Sequence, residues 1–393
     1  MLMTFPPTAD SSKAFANAVH LHGPLADALL LGGTSVVAFL LIRLWNPDEA
    51  GFALLAAVMM ALANVVNHPH FAHSYQLFYG SWQQARGAAG LPVALRWRWW
   101  LSGVAVPLVL ALLLGFAAWR WSHGDGFWMA ASLSVMGALV GWHYVKQGYG
   151  MAMVDAALKR RYWSPVGRRA LLWNAYACWG TAWLFANTSA VGSLFWGFFG
   201  ISFEVPMELV AMAALLTLGT TVWCTVSVTR NLKSHLQAES SLRWQQLPLS
   251  GLLAYGVTLY LWTLFAWADP AYALVIPFFH SLQYMTVVWR YKRNEAADDG
   301  SKPGDPFHGL LRFTGIGLAI GALGFWLLPG IVDYAMSGAI PFKTEGPMIA
   351  IACAWIFINV HHYFIDNVLW RQGNPNVARF LFGHGAAAQR PTT

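Results

Sequence analysis

Charge is nearly absent from ten stretches of this sequence, each about 20 residues long, the length of helix that crosses a hydrocarbon core about 30 Å thick. A soluble protein of 393 residues would spread its charge over helix faces. Here only 10% of residues are Asp, Glu, Lys or Arg, against about 25% in an ordinary soluble domain. Many of the 22 tryptophans stand at block edges (Trp97, Trp99 and Trp100; Trp119 and Trp121), where an aromatic belt at the lipid headgroups would place them. The pattern predicts an all-α, polytopic membrane bundle and argues against a soluble globular fold.

The expected spans are 25–45, 50–68, 99–119, 127–150, 168–187, 206–228, 248–268, 270–292, 309–328 and 346–370. Two segments are too short to span and read as interfacial or re-entrant: 191–204, and 329–342 between Pro329 and Pro341. Basic residues gather in alternate connections. Arg86, Arg96 and Arg98 follow the second span; Lys159, Arg160, Arg161, Arg168 and Arg169 follow the fourth. Arg230, Lys233 and Arg243 follow the sixth; Arg290, Lys292, Arg293, Lys302 and Arg312 surround the loop after the eighth; Arg371, Arg379 and Arg390 follow the tenth. The intervening connections are neutral or acidic. Short basic loops mark the cytoplasmic side, so about ten spans are expected, with both ends inside.

This places residues 1–24 and 372–393 as cytoplasmic tails and 25–371 as one transmembrane domain, in a cytoplasmic (bacterial inner) membrane. The N-terminus shows no cleavable signal pattern. The net charge of +7 follows from orienting loops and does not imply nucleic-acid binding. Cys178, Cys224 and Cys353 lie apart in apolar blocks and read as small core residues, not as a disulfide or zinc framework.

The histidines are distributed unevenly. Six of the 13 (His20, His22, His123, His235, His308, His384) fall in tails or loops and read as solvent-exposed or interfacial. The other seven lie in or at the ends of even-numbered spans: His68, His70 and His73 in NHPHFAHSYQ; His143 in WHYVKQGYG; His280 in HSLQY; His361 and His362 in NVHHYFID. Even spans run from outside to inside, and in each the histidine falls near the inner half. Four helices are thus expected to bring imidazoles to one depth.

Helical spacing supplies companions. His143 and Gln147 share a face, as do His280, Gln283 and Tyr284, and Asn359, His362 and Asp366. Pro69 is expected to break the helix before His70 and could turn His68 away, while Pro277 could free carbonyls near His280. An intramembrane Asp costs about 2.5–3.5 kcal/mol on insertion scales, so Asp366 needs a partner, an imidazole N–H or a metal. A lone membrane histidine is usually a satisfied interhelical hydrogen bond. Seven at one level point to a metal or haem centre.

Neutral imidazole suits iron, copper or zinc. The candidate ligands are His68, His70, His73, His143, His280, His361 and His362, with Asp366 as a carboxylate ligand or as the partner of His362. Gln147, Gln283 and Asn359 are candidate donors orienting the ligands. Tyr284, Tyr144 and Tyr149 could supply a proton or sit at the interface, and Lys146 is expected to snorkel to the headgroups. Either one or two ions would use this set.

These clusters resemble in kind the histidine boxes of membrane non-haem iron oxygenases, the fatty-acid desaturase and hydroxylase superfamily. The boxes here are HxHxxH, HxxxQ, HxxQ and HHxxxD rather than that superfamily's HxxxH and HxxHH. The carotenoid-cleaving dioxygenases of the Brp/Blh type are a second likeness, with iron held by histidines inside a helical bundle. The pair His361–His362 is similar to the span-borne His-His of haem–copper oxidases. The main resemblance implies non-haem iron, activation of O₂ and an apolar substrate (an acyl lipid or isoprenoid) arriving from the inner leaflet, with a separate electron donor. A proton- or metal-ion-coupled transporter and a haem-binding electron carrier are the alternatives; haem or copper would then replace non-haem iron.

Overall fold

The computed structural model of the chain describes residues 19–82, 92–188, 194–239, 242–298, 306–338, 346–371 and 373–382. Arg86, Lys302, Pro341, Lys343, Glu345, His384 and Arg390 lie outside the described residues. Each of the ten expected spans is helical. They are α1 Pro24–Trp45, α2 Glu49–Gly80, α3 Val93–Ser122, α4 Phe127–Leu158 and α5 Pro165–Ala186. After a short hairpin follow α6 Met207–Ala238, α7 Leu249–Leu264, α8 Pro270–Asp298, α9 (Pro306–Ala322 continuing to Ser337), α10 Ile349–Leu369 and a short α11, Pro375–Phe382.

Among the described residues, seven helices are long and apolar enough to cross a membrane: α1, α2, α3, α6, α8, α9 and α10. The chain is therefore a multi-pass helical membrane protein. α7 is shorter, and α4 and α5 are long but less apolar. α4 carries His143, Lys146, Gln147 and Asp155 yet buries many of its residues against other helices. A helix sheathed by others needs less apolar surface than one facing lipid.

Local signals explain most ends. Asp48 caps α2 through Gly51 N (2.8 Å), and Ser164 caps α5 through Gly167 N (3.1 Å), with Pro165 at the first helical position. In the α3–α4 connection two hydrogen bonds from Arg120 to Asp125 (2.9 and 2.5 Å) hold that carboxyl below its usual range.

Several helices run further than hydropathy alone marks. α2 continues to Gly80, with its break at Asn64–Val66 rather than directly before His70. Pro69 sits in the first turn of the second half, Asn67–Gly80, where its missing N–H removes no helical hydrogen bond. Residues 329–337 are not a separate interfacial segment but the end of α9. Residues 194–199 form a β-hairpin, Leu194–Phe195 with Phe198–Phe199, closed by Trp196 and Gly197 at positive φ; residues 191–193 lie outside the described residues. Phe198 packs on Met129, Leu133 and Met136 of α4 and on α10.

Two cations expected in loops are buried instead. Lys159 pairs with Asp155 at 2.8 Å. Arg290 lies within α8 and donates to the carbonyls of Leu381 (3.0 Å) and His20, binding α11 and the N-terminal segment to the bundle. Charge in these positions is tolerated because Lys159 is paired with a carboxylate and Arg290 donates to backbone carbonyls.

α8 is central: 67% of its most apolar window is buried, against 6% for α2, whose first half is largely exposed. Among the described residues, four helices carry a π-turn: Leu29–Gly33, Leu101–Ala105, Val257–Leu264 and Leu323–Leu327. A π-turn disturbs the regular i to i+4 ladder and releases carbonyls. In each case a side chain takes one up: Gln283 to Leu31 O (2.7 Å), His361 to Ser102 O (2.8 Å), Thr263 to Thr258 O (2.8 Å) and Trp355 to Phe325 O (3.3 Å). Three of these four tie directly into the histidine-bearing helices α8 and α10.

Candidate metal centre

The second half of α2, with α4, α8 and α10, carries His70, His143, His280 and His362 to one point. Their rings form a closed square, each nearly perpendicular to the next: His70–His362 4.5 Å, His362–His143 4.9 Å, His143–His280 5.0 Å and His280–His70 5.3 Å between centroids. All four are buried, and Asp366, one turn after His362, closes on the same point. The ligating atoms of His70, His143 and His280 lie within 4.8 Å of one another, as do those of His143, His362 and Asp366.

Neighbouring groups fix which nitrogens are bare. His70 Nδ1 faces the Asn67 backbone carbonyl (3.1 Å), which can only accept, so Nδ1 carries the proton. Ser281 reinforces this, since its Oγ donates to Asn67 Oδ1 (2.7 Å) and receives His70 Nδ1 at 3.0 Å. His70 Nε2 is therefore a bare lone pair aimed inward, 3.0 Å from His362 Nε2. His362 Nε2 is in turn 3.2 Å from Asp366 Oδ2. His143 Nε2, His280 Nδ1 and His362 Nδ1 have no hydrogen-bond partner. Leaving a buried polar atom unpaired costs about 1–3 kcal/mol, so such a concentration in one place calls for a reason.

Two of the donor pairs have the spacing of ligands that share one ion, and the five donors fall into two triads that share His143. Two donors each about 2.1 Å from one metal are about 3.0 Å apart at a right angle and about 3.4 Å apart at the tetrahedral angle. The observed 3.0 and 3.2 Å fall on that range. Four imidazoles and one carboxylate suffice for one ion. The other three histidines point elsewhere and add no ligand to either triad.

Around this ring the sequence candidates take different places. Tyr284 OH donates to Asp366 Oδ1 (3.1 Å), meets Ser74 Oγ at 2.5 Å and accepts from Trp370 Nε1 (3.3 Å). This holds one carboxylate oxygen away and leaves the other facing His362. Gln147 does not reach an imidazole. It donates to His280 O (3.0 Å) and Gln283 Oε1 (2.9 Å), and Gln283 donates to Leu31 O, so the pair is a strut joining α4, α8 and α1. Asn359 accepts from Tyr363 OH (3.1 Å), and Tyr363 stacks on His143 at 4.4 Å. Tyr144 stacks on His280 at 4.2 Å. Lys146 lies over the rings of Tyr149 and Tyr176. Pro277 stays inside α8; the carbonyl it frees, four residues back, is that of Ala273 and not one at His280.

The structure does not bring His361, His73 or His68 to the centre. His361 is fully committed: Nε2–H donates to Ser102 O (2.8 Å), so Nδ1 is bare and accepts from Tyr75 OH (2.9 Å). Adjacent residues on a helix point about 100° apart, so His361 and His362 cannot both face one ion. His73 donates from Nδ1 to Gln76 Oε1 (2.7 Å) and stacks on Phe313 of α9. His68 stacks on Phe325, also of α9. Sequence reasoning passed over Ser281, Asn67 and Ser74, which set the tautomer of His70 and anchor Tyr284. Their only signal was a polar residue within one turn of a candidate ligand.

No protein-family model matches the chain, and neither a curated protein nor a solved structure matches it.

Proposed function

We propose that the protein is a ten-span membrane metalloenzyme, both ends cytoplasmic, in which His70, His143, His280, His362 and Asp366 hold one non-haem iron ion. Its reaction is an O₂-dependent oxidation of an apolar lipid or isoprenoid taken from the inner leaflet: hydroxylation or desaturation, with two electrons from a separate donor, or cleavage of a C=C bond, in which both oxygen atoms enter the products and no donor is needed. The observation that carries this reading is the pair of buried, partnerless ring nitrogens, His143 Nε2 and His280 Nδ1, facing two more imidazoles and a carboxylate. Nitrogen-rich donors with one carboxylate suit a divalent transition metal rather than magnesium or calcium.

A haem fits this point less well. The four imidazoles pack ring against ring, 4.5–5.3 Å between neighbouring centroids, which leaves no room among them for a flat macrocycle.

Bound iron would supply activation of O₂ beside an unactivated C–H or C=C bond, chemistry beyond side chains alone. The chain's own residues hold and orient. Asn67 and Ser281 keep His70 Nε2 bare, Tyr284 turns Asp366, and Tyr144 and Tyr363 clamp the rings of His280 and His143. Both imidazole rings are buried.

The test is elemental analysis and a visible spectrum of detergent-purified protein. About one iron per chain without a Soret band is expected. A Soret band would transfer the site to haem. Folded protein that takes up no transition metal would overturn the proposal.

A further inference from the structure

His68 is the histidine that the metal centre leaves unexplained. Its ring is completely buried and stacks on Phe325 at 4.2 Å, with Trp326 and Trp355 edge-on at 5.5 and 5.3 Å. Neither Nδ1 nor Nε2 has a hydrogen-bond partner. A neutral imidazole is one donor and one acceptor, and here both are unmet. One histidine does not hold a metal ion. A buried water needs two to four polar partners, and these walls are aromatic carbon. What suits the cage is a molecule that is itself apolar and brings a single hydrogen-bonding group.

The backbone is irregular on both sides of His68. α2 breaks at Asn64–Val66, just before it, and α9 makes its π-turn at Leu323–Leu327, which carries Phe325 and Trp326. π-turns concentrate at functional sites because they re-aim side chains. At the lipid-facing rim the exposed Asn64 receives the half-buried Trp326 Nε1–H at 2.7 Å, one polar contact between the two irregular segments. On the inner side Phe71 joins the cage to the metal centre, 5.3 Å from Phe325 and 4.8 Å from His362.

We propose, building on the metalloenzyme reading above, that His68 is the recognition residue for the polar end of the substrate, a hydroxyl or carbonyl on an otherwise apolar chain. The substrate passes from the bilayer between the α2 break and α9. Its polar end bonds to His68, and its chain runs along Phe71, so a carbon some way from that end meets the metal centre.

The probes are parinaryl alcohol, a conjugated tetraene, and the matching hydrocarbon without the hydroxyl. Energy transfer from tryptophan to the tetraene reports binding to detergent-purified protein, and iron content is measured on the same samples. Wild type is expected to bind the alcohol about ten-fold or more tighter than the hydrocarbon, the effect of leaving a buried polar group unpaired. His68→Phe keeps the ring stack and should bind both equally; His68→Gln should keep part of the preference. Equal binding by wild type, or a preference that survives in His68→Phe, would overturn the proposal. Should His68→Phe not fold, the wild-type ratio and His68→Gln still decide it. Iron present without discrimination defeats the role of His68 alone; discrimination without iron supports it and defeats the metal centre.

Discussion

Replacing His143 with Phe should change stability in opposite directions with and without metal. The side chain is buried, stacks on Tyr363, and leaves Nε2 unpaired. Without metal, that nitrogen carries a desolvation cost of about 1–3 kcal/mol, which a phenyl ring of similar shape removes. His143→Phe should then be as stable as wild type or slightly more so, the extra ring atom offsetting part of the gain. With metal the order reverses. An ion at about 100 times its Kd stabilises the folded state by about 2.7 kcal/mol, and wild type gains this while the variant, short of one of five ligands, loses most of it. The assay is thermal unfolding in detergent with excess iron(II) and with a chelator, alongside elemental analysis. Wild type should fall in Tm on chelation and His143→Phe should not respond. A wild type indifferent to iron and chelator, together with a variant destabilised in both, would refute the reasoning and make His143 a structural residue.

Asp366→Asn keeps a partner for Tyr284 but removes the ligand charge, so iron affinity should drop at least about ten-fold, measured by competition with a chelator. His361→Phe should leave iron content unchanged and lower stability by about 1–3 kcal/mol for each of Ser102 O and Tyr75 OH left without its partner, read from thermal unfolding. Gly317→Ala places a Cβ about 2.3 Å from His73 Cε1, so α9 must move off α2 at a cost of about 1–3 kcal/mol, with iron content a second readout. Arg290→Met removes the donor to Leu381 O and His20 O; limited proteolysis should then cut near residues 19–23 and 375–382 while the core stays resistant.

Hydropathy marked the seven helices that are long and apolar enough to cross a membrane, because exclusion of charge over about 20 residues is a property of the chain alone. Helix ends were read less well. Where α2, α4 and α8 run past their apolar windows, polar residues such as Asp155, Lys159 and Arg290 are paired inside the bundle, and no sliding window distinguishes a paired charge from a solvated one. The π-turns were likewise invisible: their released carbonyls are taken up by residues far away in sequence, as when Gln283 bonds Leu31 O.

The sequence by itself determined that the histidines would fall on a few apolar helices with polar companions on the same face, since helices follow from apolar blocks and helical spacing follows from the 3.6-residue turn. It could not say which of the seven would meet. That was decided by helix rotation and by interlocked neighbours: Ser102 O claims His361, α9 claims His68 and His73, and Asn67 with Ser281 turns His70 inward. Each imidazole has two nitrogens and only one neighbourhood, and only packing assigns the neighbourhood.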